Sequence, residues 1–77
     1  MNIKQLESHL KAIGLNVIEE AEGVFKGHSC NVRQWHVFRI WINTRGRVAI
    51  KTRGIQKSFE VRNIDDLKRE LKGFEIV

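Results

Sequence analysis

Apolar side chains recur at helical spacing near the start of the chain. The residues of this first set are separated by three or four positions, which brings them to one face of an α-helix. The set is Ile3, Leu6, Leu10 and Ile13. Gly14 follows at the place where helices commonly adopt a left-handed residue, and Leu15 can fold back onto the helix as an apolar latch. The pattern predicts an amphipathic helix over residues 2–13.

A second helical pattern lies near the end of the chain. Ile64, Leu67 and Leu71 share one face of a helix that Asn63 can cap. Two acidic residues, Asp65 and Asp66, occupy the first turn, where negative charge favours the positive end of the helix dipole. We expect Gly73 to end this helix and Phe74 to act as the latch, with the tail 75–77 adding a short strand or covering the core.

Between the helices, apolar and polar residues alternate as they do in β-strands. Residues 35–43 are the strongest strand, and the tight turns 44–46 and 54–56 separate it from two further strands at 47–53 and 57–62. Residues 15–20 and 24–27 are weaker candidates on either side of a turn, before a predicted loop at 28–31. The order α, three or four strands, α predicts one small α+β domain covering residues 1–77. Both helices should pack on one face of an antiparallel sheet.

Alternation assigns the strand residues to two faces. The helix-covered face should carry the apolar set, which comprises Phe38, Ile40, Ile42, Val48, Ile50, Phe59 and Val61. The opposite face should carry aromatic and cationic side chains, namely Trp35, Arg39, Trp41, Arg47, Lys51, Arg53 and Arg62.

Charge is also unevenly divided, between the strand segment and the two helical segments of the chain. The chain has a net charge of +5 and a pI near 9.9. Residues 26–62 hold nine basic side chains and one acidic one, whereas the segments before and after are slightly acidic. The predicted strands therefore carry the whole excess, which favours a polyanionic partner.

Several functional classes are disfavoured by composition. The single Cys30 leaves no disulfide framework of the kind that small secreted domains use. The start of the chain has no secretory signal pattern, and no window is apolar enough to span a membrane. We therefore expect a cytoplasmic location and no membrane association.

Catalytic and metal-binding patterns are also weak. His28, Cys30 and His36 do not match the spacing of paired metal ligands. Asp65 and Asp66 are explained by their place at a helix start, although a Mg²⁺-dependent nuclease would also use carboxylates. The sequence thus predicts no enzyme activity, no cofactor and no metal site.

The main functional hypothesis is a nucleic-acid-binding domain that uses the exposed sheet face and its hairpin loops. Cations hold phosphates, and aromatic rings stack on bases. The predicted contacts are Arg39, Trp41, Arg45, Arg47, Lys51 and Arg53. DNA and RNA, single-stranded or duplex, all remain open.

Two alternatives use the same residues differently. The charged face could serve only solubility and edge protection, and at least one tryptophan could be buried. Alternatively, Trp35, Val37 and Trp41 could form an apolar strip that joins two copies of the chain or binds another protein.

The order α-β-β-β-α resembles that of double-stranded-RNA-binding domains, and the length is similar. That family carries lysines at the start of its last helix and a Gly-Pro-x-His loop. Here the last helix starts at Asn63-Ile64-Asp65-Asp66 and the chain has no proline, so the family's RNA contacts have no counterparts. The stretch from Trp35 to Lys72 also resembles the arm-type DNA-binding domains of phage integrases in its pattern of three strands and a helix.

Overall fold

Two helices flank five strands in chain order. The computed structural model describes residues 1–30 and 35–77, so Asn31, the end of the predicted loop, and Arg33, one of the counted cations, lie outside the described residues. The elements are α1 (Ile3–Ile13), β1 (Val17–Ala21), β2 (Val24–His28), β3 (Val37–Ile42), β4 (Val48–Thr52), β5 (Ile55–Phe59) and α2 (Ile64–Gly73).

Helix α1 is closed at both ends by local hydrogen bonds. The Asn2 side chain accepts from the Gln5 backbone N–H at 2.8 Å, and the Gln5 side chain accepts from the Asn2 N–H at the same distance. At the other end Gly14 adopts a φ of 104°, and the Leu15 N–H donates to the Leu10 carbonyl at 3.0 Å. The predicted first helix and its Gly14–Leu15 end are confirmed.

Helix α2 begins as predicted but ends differently. Asn63 caps it by accepting from the Asp66 N–H at 2.9 Å. Gly73 is still helical, and the left-handed residue is Glu75, with a φ of 61°. The Ile76 N–H then donates to the Leu71 carbonyl at 2.9 Å, and the Ile76 side chain is fully buried. Burying Ile76 offsets the strain of a left-handed non-glycine residue, which is about 1–2 kcal/mol.

The sheet is an antiparallel meander with the strand order β1-β2-β3-β4-β5. The prediction of three to four strands was therefore slightly wrong, although the α+β class is confirmed. Both weak segments form strands, because Gly23 turns the chain at a φ of 74° and β1 pairs with β2 around a bulge between Glu19 and Ala21. These two strands also depart from the three-stranded order that suggested double-stranded-RNA-binding domains.

One face of the sheet is covered by both helices. Leu6, Leu10, Leu67 and Leu71 are fully buried there. Their strand partners in the core are Phe25, Phe38, Ile40, Val48, Ile50 and Phe59. Ile42 and Val61 are half-buried and pack against the same core, so the predicted apolar face is observed. The chain's end covers the core rather than adding a strand, and the Cys30 N–H donates to the Ile76 carbonyl at 2.8 Å.

Candidate nucleic-acid interface

A row of three cations crosses the uncovered face of the sheet. Lys26 of β2 lies opposite Arg39 of β3, and Arg39 lies opposite Lys51 of β4. Directly opposed residues on one face have Cβ atoms about 5 Å apart. We call these three residues the cation row, and the sheet face that carries them the open face.

The cation row lies on interior strands of the sheet. Lysines often protect exposed sheet edges from pairing with other chains. Strands β2, β3 and β4 each have a hydrogen-bonded neighbour on both sides, so edge protection does not explain this row. Like charges placed directly opposite each other destabilise a sheet. The row therefore costs stability that its position in the fold does not require.

Arg39, at the centre of the row, has a carboxylate partner. Its Nε and one terminal nitrogen donate to the two oxygens of Glu20 at 2.6 and 3.1 Å. This hydrogen-bonded pair lowers the pKa of Glu20 and raises the pKa of Arg39. Both side chains remain substantially exposed, so an incoming phosphate would compete with Glu20 for Arg39.

Among the described residues, the two outer members of the row have no carboxylate at ion-pair distance. Within residues 1–30 and 35–77, no carboxylate lies within 4 Å of Lys26 or Lys51. Several cations elsewhere do have acidic partners, among them Lys11, Lys57, Arg62 and Arg69. In the same part of the chain, Lys4, Lys68 and Lys72 on the helices also lack such a partner. What distinguishes the open face is that its cations lie directly opposite one another.

Two more predicted contacts lie in the hairpin that joins β3 to β4. The Asn43 side chain accepts from the backbone N–H groups of Arg45 and Arg47, both at 3.0 Å. Gly46 completes the turn with a φ of 77°. Both arginine side chains are exposed, and one Arg47 nitrogen donates to the Ser58 carbonyl at 3.5 Å. The loop backbone is thus ordered while its cations remain accessible.

Arg53 does not stay on the open face, contrary to the alternation argument. It lies in the β4–β5 turn with a φ of 51°, next to Gly54 at 77°. Its guanidinium donates to the Phe74 carbonyl at 2.6 Å, beside the C-terminal end of α2. The turn redirects the side chain towards the negative end of a helix, where cations are favoured. Arg62 also leaves the face, because it pairs with Asp66 of α2.

The two tryptophans are placed differently. Trp41 is half-buried on the open face, opposite Ala49 of β4. Trp35 precedes β3, is 65% exposed, and stacks on the His28 ring with centroids 5.2 Å apart. Neither tryptophan enters the core, so both are available to a partner on this side of the sheet.

Lys26 and His28 belong to the open face but were missed as site residues. The segment 24–27 was only a weak strand candidate, so its register against β3 could not be assigned from the sequence. Lys26 is the single lysine of that segment, and a period-two pattern anchored on buried Phe25 could have placed it outward.

The carboxylates that suggested a nuclease have other partners. Asp66 is buried and accepts from the Arg62 backbone N–H at 3.0 Å and from Arg69 at 2.9 Å. The Arg62 backbone hydrogen bond, assisted by both guanidinium groups, lowers the pKa of Asp66. In the part of the chain that the structure describes, no three His, Cys, Asp or Glu residues are grouped to hold a metal ion.

No protein-family model, curated protein sequence or solved structure matches this chain. Function must therefore be argued from its own residues. Neither helix in the described residues has the length and apolar character needed to cross a lipid bilayer.

Proposed function

We propose that this protein binds nucleic acid through the open face of its sheet. Lys26, Lys51 and Arg47 would hold phosphates, with Arg45 contributing from the hairpin. Arg39 would join them once a phosphate displaces Glu20. Trp41 supplies a half-buried ring on the same face.

The observation that carries this proposal is the cation row on three interior strands. A sheet gains nothing in stability from opposed like charges, and places where a sequence departs from the stable choice are often functional sites. A phosphate backbone supplies the missing negative charge, and its binding releases condensed counterions. The role proposed for these residues is binding rather than catalysis.

The test is the salt dependence of binding to a labelled oligonucleotide, followed by fluorescence anisotropy. Each phosphate contact to a single strand contributes a slope of about −0.7 in log affinity against log salt. Five such contacts, with Arg39 included, predict a slope of about −3.5. Lys51→Ala should reduce its magnitude by about 0.7 and weaken binding without unfolding the domain.

The matched control is Lys68→Ala, which removes an exposed lysine from α2 and leaves the open face intact. Its affinity and salt slope should be close to those of the unaltered protein. Equal losses in the two variants would assign binding to overall charge. A salt-independent affinity would contradict the proposal.

A second candidate function is self-association or protein binding through the apolar end of the open face. Ile18, Trp35 and Val37 are 67%, 65% and 38% exposed, and exposed apolar groups that lie together often mark protein interfaces. Light scattering across a concentration series distinguishes the two. A dimer that Trp35→Ala dissociates, with no oligonucleotide binding, would favour this second function.

A further inference from the structure

A groove lies at one end of the open face, next to the cation row. It encloses about 320 Å³ and is lined by Asn16, Ile18, Lys26, Gly27, His28, Trp35 and Val37. This volume is at the lower end of the range of small-molecule sites in proteins. Lys26 belongs both to the groove and to the cation row, so the two features are continuous.

His28 holds the Trp35 ring in place, and much of the Trp35 side chain remains exposed to solvent. His28 stacks against it at 5.2 Å with an angle of 27° between the rings. The His28 Nδ1 lies 3.0 Å from the Ser29 carbonyl, which steadies the imidazole. The His28 ring lies against one face of the indole, and the 65% exposure of Trp35 leaves the rest of the side chain in solvent. The exposed part is therefore a flat aromatic surface beside a cationic strip.

We infer that this groove receives an unpaired base of a single-stranded nucleic acid, stacked on Trp35, while the cation row holds the adjoining phosphates. The inference rests on the proposed function and specifies its substrate class. Stacking on an aromatic side chain is open to any base whose ring face is exposed. In a duplex those faces are covered by neighbouring base pairs, so the groove favours single strands, bulges or ends.

Charge complementarity favours a nucleotide over a purely apolar partner in this groove. The groove has apolar walls from Ile18 and Val37, but Lys26 stands at its border and Arg39 and Lys51 follow in register. An apolar partner would have to desolvate these cations. A nucleotide offers a ring for the walls and a phosphate for the lysine. The Asn16 amide adds a donor and an acceptor at the rim for the edge of the base.

The experiment compares binding of one single-stranded oligonucleotide and its duplex by the full chain and by Trp35→Ala. Loss of one stacked base predicts single-strand affinity lower by about 5- to 150-fold. The salt slope should not change, because no phosphate contact is removed. Trp35→Phe keeps an aromatic ring and should restore most of the affinity. Ile55→Ala, which shortens another exposed apolar side chain, should leave affinity unchanged.

A second arm uses an oligonucleotide in which abasic sites replace the bases. The full chain should lose affinity for it, whereas Trp35→Ala should show a smaller loss, because its stacking contact at position 35 is already gone. In Trp41→Phe, Trp35 is the only tryptophan, and its fluorescence should be quenched by the normal oligonucleotide and not by the abasic one.

The outcomes separate this inference from the proposed function. If Lys51→Ala weakens binding but Trp35→Ala does not, the base site is wrong and the cationic interface stands. Duplex affinity equal to or above single-strand affinity would overturn the inference in the same way. If the full chain binds neither oligonucleotide, both proposals fail. Concentration-dependent dimerisation that is lost in Trp35→Ala would then assign the groove to a protein partner.

Discussion

The two faces of the sheet use charge in opposite ways. On the helix-covered side several cations lie beside carboxylates, as Lys57 does beside Glu70 at 3.6 Å and Arg69 beside Asp66 at 2.9 Å. On the open face Lys26, Arg39 and Lys51 stand side by side, with Glu20 as the carboxylate bound to Arg39. The first arrangement ties cations into the fold, and the second is the basis of the proposed phosphate binding.

The comparison shows that net charge alone says little about function in so small a domain. The chain's +5 is not spread over its surface. Antiparallel pairing concentrates it, because register brings residues distant in the chain to adjacent positions. The following predictions test the division between the two faces.

The largest expected effect comes from two neighbours in β3 that point to opposite faces. Phe38 is 1% exposed and belongs to the core, so Phe38→Ala should cost about 3–5 kcal/mol of unfolding free energy. Val37 is 38% exposed on the open face, so Val37→Ala should cost less than about 1 kcal/mol. Urea denaturation measures both. Similar losses would show that the open face is also structural.

Acidic pH should destabilise the helix-covered side of the domain by protonating Asp66. Its lowered pKa means that the folded state favours the carboxylate, so this stabilisation is full above the ordinary carboxyl pKa of about 4. It is lost as the pH falls through the lowered value. Between neutral and strongly acidic pH, the unfolding free energy of Asp66→Asn should therefore fall by less than that of the unaltered protein. Urea midpoints across that range measure it, and Asp65→Asn, at the exposed neighbouring position, is the control.

Removing one charge from the cation row should make the protein more stable. Lys51→Gln relieves repulsion from Arg39 and should raise the unfolding free energy by roughly a few tenths of a kcal/mol at low salt, with the gain fading as salt is added. Lys57→Gln, which removes the partner of Glu70, should give no gain. Thermal denaturation at two salt concentrations measures both. A Lys51→Gln variant less stable than the parent would contradict the idea that the row costs stability.

The last expected effect is on binding rather than stability and comes from releasing Arg39. Glu20→Gln removes its carboxylate partner, so nucleic-acid affinity should rise by about two- to fivefold, the equivalent of one exposed ion pair. Glu22→Gln removes the same charge from the exposed β1–β2 turn without releasing Arg39. An equal rise in both variants would attribute the effect to net charge. Oligonucleotide titration makes the comparison.

Much of the fold could be predicted because local signals were strong. Gly14 and Asn63 marked helix ends, and alternation around Phe38 and Ile50 identified the core face. The end of α2 could not be predicted, because Glu75 adopts its left-handed conformation only to let Ile76 reach the core. The weak candidate at 15–20 forms β1, whose residues are almost entirely exposed, so alternation of buried and exposed positions gives this strand little signal.

The candidate site could be predicted only in part. Arg39, Trp41 and Lys51 lie on the open face as alternation predicts, whereas Arg53 is turned towards Phe74 by a conformation that depends on the β4–β5 hairpin. The Trp35–His28 stack joins the end of β2 to a residue that precedes β3, so no local pattern contained it.

The sequence by itself determined most of the apolar core and where the helices begin, because both follow from periodicity and from hydrogen bonds made within a few residues. Only the tertiary structure decided which cations are neutralised and which stand in a row, since that depends on strand register. Register is set by the packing of the whole core, and a shift of one residue would send every one of these side chains to the other face.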